Sequence, residues 1–390
     1  MTGREERTYL AAADILRVFS IGIVAWFHLW QQSWLNPYFS LFGRRVSLFG
    51  LVSHGYMYVD WMLLLSGFLL FLPYARRQKH SLTLPDTTLF YKKRFWRIVP
   101  SYYFAVLAAF VLIYLWKPAY DFTPVFKDLF THLTFTHVFS ADTYLWTNLN
   151  GALWTVAVEV QFYLLFPFIA RAFLKKPGLT FTAMLAVAFA SRYYVLTLSD
   201  VSAYFNQLPC MLDLYAFGML AAYLAVRREE KKSPWALLPS LAAFAGMIWI
   251  VMSQHPTDAV SIQQLQILWR LPIAVLGAIY VYFGALWPTG ANKVLGNPVT
   301  RFLSAISYNF YMWHQYLAVK LREWHIPPYF TEMPQRDETD VWRRRYMWIS
   351  ILAGLALAAV LTYCLEKPLY RAFEKREKRG LLEHRDAETL

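Results

Sequence analysis

Apolar runs of roughly 20 residues alternate with short polar segments along the whole chain. A helix of that length rises about 30 Å, which is the thickness of the hydrocarbon core of a bilayer. The pattern therefore predicts an all-α, polytopic membrane helix bundle with about ten transmembrane helices. The predicted helices cover residues 10–30, 56–75, 100–116, 152–170, 180–198, 208–226, 235–253, 265–287, 304–322 and 346–366.

The two ends of the predicted bundle need separate interpretation. The first apolar run carries Asp14, Arg17 and His28 and is followed by no small-residue cleavage site, so we interpret it as a span and not as a secretory signal. Glu366-Lys367-Pro368 predicts the end of the last helix. The predicted division is a transmembrane domain over residues 1–370 and a basic cytoplasmic tail over 371–390, which lies on the inner lipid headgroups.

The distribution of Lys and Arg predicts the orientation. With the N-terminus inside, the inner segments 1–9, 76–99, 171–179, 227–234, 288–303 and 367–390 hold 25 Lys and Arg, and the outer segments hold 8. Cytoplasmic loops of membrane proteins are enriched in these residues, so both termini are predicted to be cytoplasmic. The long outer segments 117–151 and 323–345 mix polar and aromatic residues and are candidates for a recognition surface.

Composition excludes several classes of protein. The chain is 57% hydrophobic and only 16% charged, whereas soluble domains are about 25% charged. Its net charge is +13. The Lys and Arg residues that carry it lie mainly between apolar runs, which favours a membrane over nucleic acid as the partner. The two cysteines, Cys210 and Cys364, lie in apolar runs and are predicted to be core residues. No phosphate-binding loop, nucleophile elbow or metal-ligand spacing occurs, so no metal is predicted.

Ionisable residues inside spans are functional hypotheses, because a charge in the bilayer costs several kcal/mol. Arg17 and His28 are eleven residues apart, so they share one helix face at a separation of about 16 Å. Asp14 lies one turn before Arg17 and is expected to pair with it. A structural ion pair at a helix end remains an alternative for these two residues.

Glu159 is the most informative of these residues, since it follows the apolar stretch Trp154–Val158. It lies about two turns below the outer surface in the predicted topology, at a depth similar to that of His28. A carboxylate beside an imidazole orients the ring and raises its basicity, as a general base requires. Asp60 is interpreted as either a supporting carboxylate or an interfacial residue, and His314 is predicted to be mainly structural.

Arg94 and Arg97 precede Pro100 at the inner end of the third predicted span. They are one helical turn apart and lie among aromatic residues. Positive-inside anchoring explains the neighbouring Lys92 and Lys93. Two arginines at this spacing also suit the capture of phosphate by forked guanidinium groups.

Together these pieces resemble acyltransferase family 3, the ten-helix bacterial membrane acyltransferases that acylate cell-envelope glycans and other hydroxyl acceptors. The resemblance rests on the order and spacing of motifs along nearly the whole chain. These motifs are Arg17 with His28, Leu65-Ser66-Gly67-Phe68-Leu69-Leu70, Arg94-x-x-Arg97 with Pro100, Trp154…Glu159-x-Gln161-Phe162-Tyr163, Leu212…Gly218-Met219-Leu220, Ile306-Ser307-Tyr308…Tyr311-Met312-Trp313-His314 and Tyr363…Glu366-Lys367-Pro368. The family often has Ser before the Glu, where this chain has Thr155 and Ala157.

The resemblance implies an O-acyltransferase in the bacterial cytoplasmic membrane. It implies that His28 is the catalytic base and Glu159 its partner, and that Arg17, Arg94 and Arg97 hold acetyl-CoA or another acyl-CoA. The supporting residues are then Asp14, Asp60, Ser66, Trp154, Gln161 and His314. Some members carry a fused extracytoplasmic domain, which we expect to be a separate protein here.

Several alternatives stay open at this stage. The acceptor is a hydroxyl-bearing glycan or a small molecule, and His28 acts either as a general base or as a covalent acyl carrier. A proton-coupled transporter or flippase would use His28, Glu159 and Asp60 as a proton relay. A ligand-sensing or assembly protein with the same fold is a third hypothesis. The sequence does not fix the oligomeric state.

Overall fold

The computed structural model describes residues 9–116, 123–254, 260–336 and 339–387. Outside the described residues lie 1–8, 117–122, 255–259, 337–338 and 388–390. Parts of the predicted inner segment 1–9, of the outer segments and of the tail fall on these ranges. Helices make up most of the described chain.

The helices and strands occur in the following order: α1 Ala11–Ser33, β1 Tyr38–Leu41, β2 Arg44–Ser47, α2 Phe49–Ser53, α3 Tyr58–Lys79, α4 Thr87–Trp116, α5 Thr123–Leu133, α6 Ala141–Tyr144, α7 Trp154–Lys175, α8 Pro177–Leu196, α9 Leu208–Arg228, α10 Leu237–Met252, α11 Ile262–Ala285, α12 Thr289–Leu295, α13 Pro298–Glu323, α14 Val341–Leu361 and α15 Lys367–Ala387. The two strands form one antiparallel hairpin.

The prediction of an all-α, polytopic membrane protein is confirmed. Within the described residues, nine helical segments are long and apolar enough to cross a bilayer. The tenth predicted span, 304–322, is a helix of 26 residues, Pro298–Glu323, but it is not among those nine. Polar and charged residues such as Arg301, His314 and Lys320 lower its apolar character.

The third predicted span begins thirteen residues earlier than expected. The Asp86 carboxylate accepts a hydrogen bond from the backbone N–H of Leu89 at 2.7 Å, which caps α4 and starts it at Thr87. Arg94 and Arg97 therefore lie inside the helix and not in a loop before it. Pro100 is also internal, as membrane helices tolerate.

The predicted end of the last helix at Glu366-Lys367-Pro368 is wrong. A π-helical turn, Thr362–Glu366, joins α14 to α15, and the backbone N–H of Lys367 bonds to the Thr362 carbonyl across it. Proline lacks an N–H donor but fits the first turn of a helix, so α15 continues past Pro368. The prediction for cysteines is correct for Cys210, which is buried, and wrong for Cys364, which is exposed on the π turn.

The chain divides into two compact units. The first comprises Met1–Leu84, Phe168–Ser307 and Tyr329–Arg344, and the second Pro85–Pro167, Tyr308–Pro328 and Arg345–Leu390. The predicted division into residues 1–370 and 371–390 stays a prediction.

Two glycines bring α3 and α9 together in the core of the first unit. A Cβ added to Gly67 would lie 2.6 Å from the Tyr215 carbonyl oxygen, and one added to Gly218 would lie 2.1 Å from that of Leu64. Only glycine permits such close backbone approach, which is how membrane helices gain packing contacts. The two glycine-containing motifs noted in the sequence are therefore the two sides of one helix contact.

Polar side chains link the helices of the second unit. The Tyr308 hydroxyl donates to the Ile98 carbonyl at 3.1 Å, and the Asn150 amide donates to the Met312 carbonyl at 2.7 Å. These bonds connect the second half of α13 to α4 and to the segment before α7. Bonds of this kind satisfy backbone carbonyls that have no water available in a bilayer.

Candidate active site

The polar residues near the start of α1 form a cluster in the first unit. Asp14 and Arg17 lie 3.8 Å apart, so their predicted pairing is observed. Ser304 connects them, because its hydroxyl donates to Asp14 at 2.6 Å and accepts from Arg17 at 3.2 Å. Both charged side chains are partly exposed. The cluster therefore holds Arg17 in place while part of its side chain stays accessible.

His28 lies three turns further along α1 and is half-buried. Its Nδ1 lies 3.0 Å from the amide oxygen of Gln31, one turn onward. An amide oxygen can only accept, so this bond places a hydrogen on Nδ1 and makes Nε2 the ring nitrogen that can take a proton. The sequence prediction did not include Gln31, although a residue at i+3 of a candidate histidine is the expected place for such a partner.

Arg94 lies on α4 in the second unit, between two aromatic rings. Its guanidinium carbon is 5.5 Å from the centre of the Phe90 ring and 5.6 Å from that of Tyr163. Its Nε is buried and has no hydrogen-bond partner among the described residues. A buried N–H donor without a partner is costly and favours an acceptor from outside the chain. Arg97, one turn onward, is exposed.

Glu159 lies on α7 and accepts a short hydrogen bond from the Tyr163 hydroxyl, one turn further along. The charges of Arg94 and Glu159 act on each other, and the Tyr163 ring contacts Arg94. Two of the predicted site residues, Arg94 and Glu159, thus belong to one cluster. Tyr163 joins them, a role that the sequence motif did not reveal.

The other predicted residues of the second unit are placed as follows. Trp154 packs near Tyr144, with ring centres 6.2 Å apart. The side-chain amide nitrogen of Gln161 is buried and lacks a partner among the described residues. His314 is buried, and its Nδ1 lies 2.6 Å from the Tyr311 carbonyl oxygen. That bond suits the structural role predicted for His314.

Asp60 forms a buried ion pair that the sequence prediction missed. Its carboxylate accepts from Arg270 Nε at 3.1 Å, and both side chains are fully buried. A second buried pair joins Arg192 to Asp213. The four charges influence one another, so α3, α8, α9 and α11 meet in one neutral cluster. Each arginine lies in an apolar run, which predicts a buried acid partner but not which one.

Ser66, the remaining predicted residue, is half-buried on α3 beside Gly67. Its neighbour Gly67 makes the close contact between α3 and α9, and the supporting role of Ser66 stays a prediction.

A second cluster absent from the prediction is formed by Asp128, His132 and His137, all buried. His132 Nδ1 lies 2.8 Å from the Asp128 carbonyl oxygen and 3.1 Å from its carboxylate. The two imidazoles stack with centres 3.8 Å apart. Burial and the neighbouring His132 lower the pKa of His137 to about 2. The described residues include no group of three or more His, Cys, Asp or Glu arranged to hold a metal ion.

His28 belongs to the first unit and Glu159 to the second. Their predicted pairing therefore stays a prediction. Each candidate residue has a defined local partner within its own unit, which is Gln31 for His28 and Tyr163 for Glu159.

Residues 10–367 match the family described as the acyltransferase domain. This match covers more than nine-tenths of the chain. The chain belongs to acyltransferase family 3. The predicted resemblance is thereby confirmed, and so is the prediction that the chain is an acyltransferase enzyme.

The chain is similar to two named proteins. ORF330 of Acidianus two-tailed virus, provisionally named an acetyltransferase, is 26% identical over 302 residues, which are 77% of this chain and 80% of that protein. The peptidoglycan O-acetyltransferase OatA of Listeria monocytogenes is 25% identical over 337 residues, which are 80% of this chain and 50% of OatA. No solved structure matches the chain.

Proposed function

We propose that this acyltransferase is an O-acetyltransferase of the bacterial cytoplasmic membrane, which moves an acetyl group from cytoplasmic acetyl-CoA to a hydroxyl of a cell-envelope glycan. The names of both relatives support acetyl transfer, and that of OatA supports a glycan acceptor. The observation that carries the proposal is the Arg94–Tyr163–Glu159 cluster, which combines a carboxylate with a buried guanidinium N–H that has no hydrogen-bond partner in the part of the chain that the structure describes.

In this proposal the arginines bind the donor. The buried Nε–H of Arg94 donates to no described residue, and a phosphate or thioester oxygen is a suitable acceptor for it. Arg97 is exposed one turn away and adds a second positive charge for the coenzyme A phosphates. Arg17 is held by Asp14 and Ser304 and is the third proposed contact.

His28 then acts as the base. Its Nε2 takes the proton from the acceptor hydroxyl while the hydroxyl oxygen attacks the thioester carbonyl carbon. The C–S bond breaks, and the coenzyme A thiolate leaves and takes the proton back from the His28 imidazolium. Gln31 keeps the proton on Nδ1, so Nε2 stays available as the acceptor. Glu159 is the proposed partner that stabilises the imidazolium formed in this step.

The transporter hypothesis is less well supported. It requires Asp60 as part of a proton relay, whereas this carboxylate is fixed in a buried ion pair with Arg270. We therefore keep acyl transfer as the single proposed function.

Acetyl-CoA binding is the first experiment, because it requires no knowledge of the acceptor. Calorimetry on protein in nanodiscs would compare Arg94→Ala/Arg97→Ala with Lys92→Ala/Lys93→Ala, which removes the same charge from the same helix. The proposal predicts that binding weakens at least tenfold in the arginine variant, about 1.4 kcal/mol, and little in the lysine variant. Equal loss in both variants would indicate a general electrostatic effect and contradict the donor assignment.

The second experiment tests catalysis. Cells expressing wild type or His28→Gln would be labelled with radioactive acetate, and the envelope glycans would be extracted and counted. We expect alkali-labile acetyl label that depends on His28. Equal labelling in both strains, with both proteins present in the membrane, would reject His28 as the catalytic base.

A further inference from the structure

A short β-hairpin follows α1 in the first unit. Strand β1 begins at Tyr38, five residues after α1 ends at Ser33. In the antiparallel register, Phe39 lies opposite Val46, and Ser40 lies opposite Arg45. Seven of the eight strand residues are exposed. The hairpin therefore covers no core, and its conformation needs another explanation.

The hairpin is amphipathic. Side chains alternate between the two faces of a strand, so Phe39, Leu41 and Val46 share one face, and Arg44, which lies opposite Leu41, is on the same face next to the turn. The opposite face carries Tyr38, Ser40, Arg45 and Ser47, and the Arg45 guanidinium lies over the Tyr38 ring at 4.6 Å. Phe39 and Leu41 are exposed. Much of the apolar face is consequently uncovered by the described residues of the chain.

The tip of the hairpin adds an independent observation. Phe42 and Gly43 have φ values of 48° and 76°, which matches the two-residue turn whose central positions both need positive φ. Asn or Gly normally occupies the first of these positions, and a bulky residue there is strained. Phe42 is also 97% exposed. An aromatic residue with a strained backbone, whose side chain is almost fully exposed among the described residues, is explained by a partner outside the chain.

The charge of the hairpin indicates which partner. Arg44 and Arg45 are exposed, and the sequence contains no Asp or Glu between Asp14 and Asp60. Aromatic side chains with adjacent arginines are typical of the headgroup region of a bilayer, where rings reach the acyl-chain boundary and guanidinium groups reach phosphates. The hairpin continues directly from α1, a helix suited to cross that bilayer.

We propose that the Tyr38–Ser47 hairpin is an interfacial anchor, which inserts Phe42 and its apolar face into the lipid headgroup region beside α1 and binds lipid phosphates through Arg44 and Arg45. It holds the outer end of α1, which carries His28, at a fixed depth. The partner is the bilayer itself, and neither a glycan nor a second protein is required.

Photocrosslinking tests the anchor in the full-length protein. p-Benzoylphenylalanine would replace Phe42, or Ser40 on the polar face as the matched control. The protein would be irradiated in nanodiscs of phosphatidylcholine and phosphatidylglycerol, and the hairpin peptide analysed by mass spectrometry. We expect phospholipid adducts with the probe at position 42. With the probe at position 40, the adduct yield should be much lower. Lipid adducts of equal yield at both positions would overturn the amphipathic assignment.

The contribution of Arg44 and Arg45 is measured by the lipid composition of the adducts. With both present, the adducts should contain more phosphatidylglycerol than the bulk lipid does, and Arg44→Gln/Arg45→Gln should return that ratio to the bulk value. A position-42 adduct with a peptide of another copy, an adduct with an added envelope polysaccharide, or no adduct would each overturn the proposal. Size-exclusion chromatography of every variant confirms that the protein is folded.

Discussion

The Tyr163 hydroxyl donates a hydrogen bond to Glu159 from one turn further along the same helix, while its ring contacts Arg94. One side chain thus serves two candidate residues. Its hydroxyl orients the carboxylate, and its ring packs against the guanidinium. The two contributions can be separated by substitution.

Tyr163→Phe should remove the orientation of Glu159 and keep the packing on Arg94. We expect kcat for acetyl transfer to fall about tenfold, because a lost hydrogen bond to a charged group is worth about 1.5 kcal/mol or more. KM for acetyl-CoA should change little. Tyr163→Leu removes the ring as well, so it should also raise KM. A Phe variant with wild-type kcat would show that the hydroxyl is not needed.

Gln31 is predicted to position His28. Gln31→Leu removes the oxygen that accepts from Nδ1, so the imidazole loses its preferred tautomer and kcat should fall about tenfold. Gln31→Glu keeps an oxygen acceptor and should restore most of the rate. Steady-state kinetics of the three proteins would test this. If Leu and Glu were equally impaired, the contact would be only structural.

The contact between α3 and α9 should tolerate no side chain at Gly218. Gly218→Ala would place Cβ against the Leu64 carbonyl and should destabilise the protein by about 1–3 kcal/mol. Gly22→Ala is the matched control in α1, since a Cβ there meets nothing within 4 Å. It should be neutral or stabilise by about 0.5–1 kcal/mol. Thermal unfolding in one detergent compares the two, and equal effects would contradict the close packing.

Replacing one residue of the Asp60–Arg270 pair should destabilise the protein more than replacing both. Asp60→Asn leaves a buried guanidinium without its counter-ion and should destabilise by about 3–5 kcal/mol. Asp60→Leu/Arg270→Met removes both charges and should recover most of that loss. The free energy of unfolding in mixed micelles provides the measurement. A double variant as unstable as the single one would mean that the pair itself contributes the stability.

The His132–His137 stack predicts acid sensitivity in the segment that contains it. The pKa of His137 is lowered to about 2 from an unfolded value of about 6.5. The opened state therefore binds the proton more readily below pH 6.5, and stability falls there by up to about 1.4 kcal/mol per pH unit. The protection factors of α5 and the residues after it, which are the ratios of the intrinsic to the observed exchange rate at each pH, should fall between pH 7 and pH 5. His137→Phe, which stacks but does not titrate, should abolish this fall.

Most of the long helices could be predicted from the sequence because an apolar run marks each of them. The start of α4 was missed, since a cap by Asp86 depends on one side chain and not on the pattern. The glycine motifs were recognised, but their contact depends on which helices are neighbours. For the same reason, the pairing of Arg192 with Asp213 and of Arg270 with Asp60 was not predicted, because it is a property of the folded unit.

The contacts of the candidate site were also predicted only in part. Asp14 and Arg17 were paired correctly because one helical turn separates them. Gln31 and Tyr163 are also one turn from their partners, so the sequence contained the information, but many polar residues lie one turn from another without bonding. The hairpin was not predicted at all, because two strands of four residues are too short to show an alternating pattern.

The neutral cluster of α3, α8, α9 and α11 has a consequence for how the protein is made. Arg192 and Asp213 are 21 residues apart, so they meet soon after synthesis. Asp60 and Arg270 are separated by 210 residues, which take about 10–40 s to translate. During that interval α3 has entered the membrane with an uncompensated acid. Until α11 arrives, this acid is tolerated in lipid only in its neutral form or beside other protein, so we expect slower translation between the two helices to increase degradation of the nascent chain.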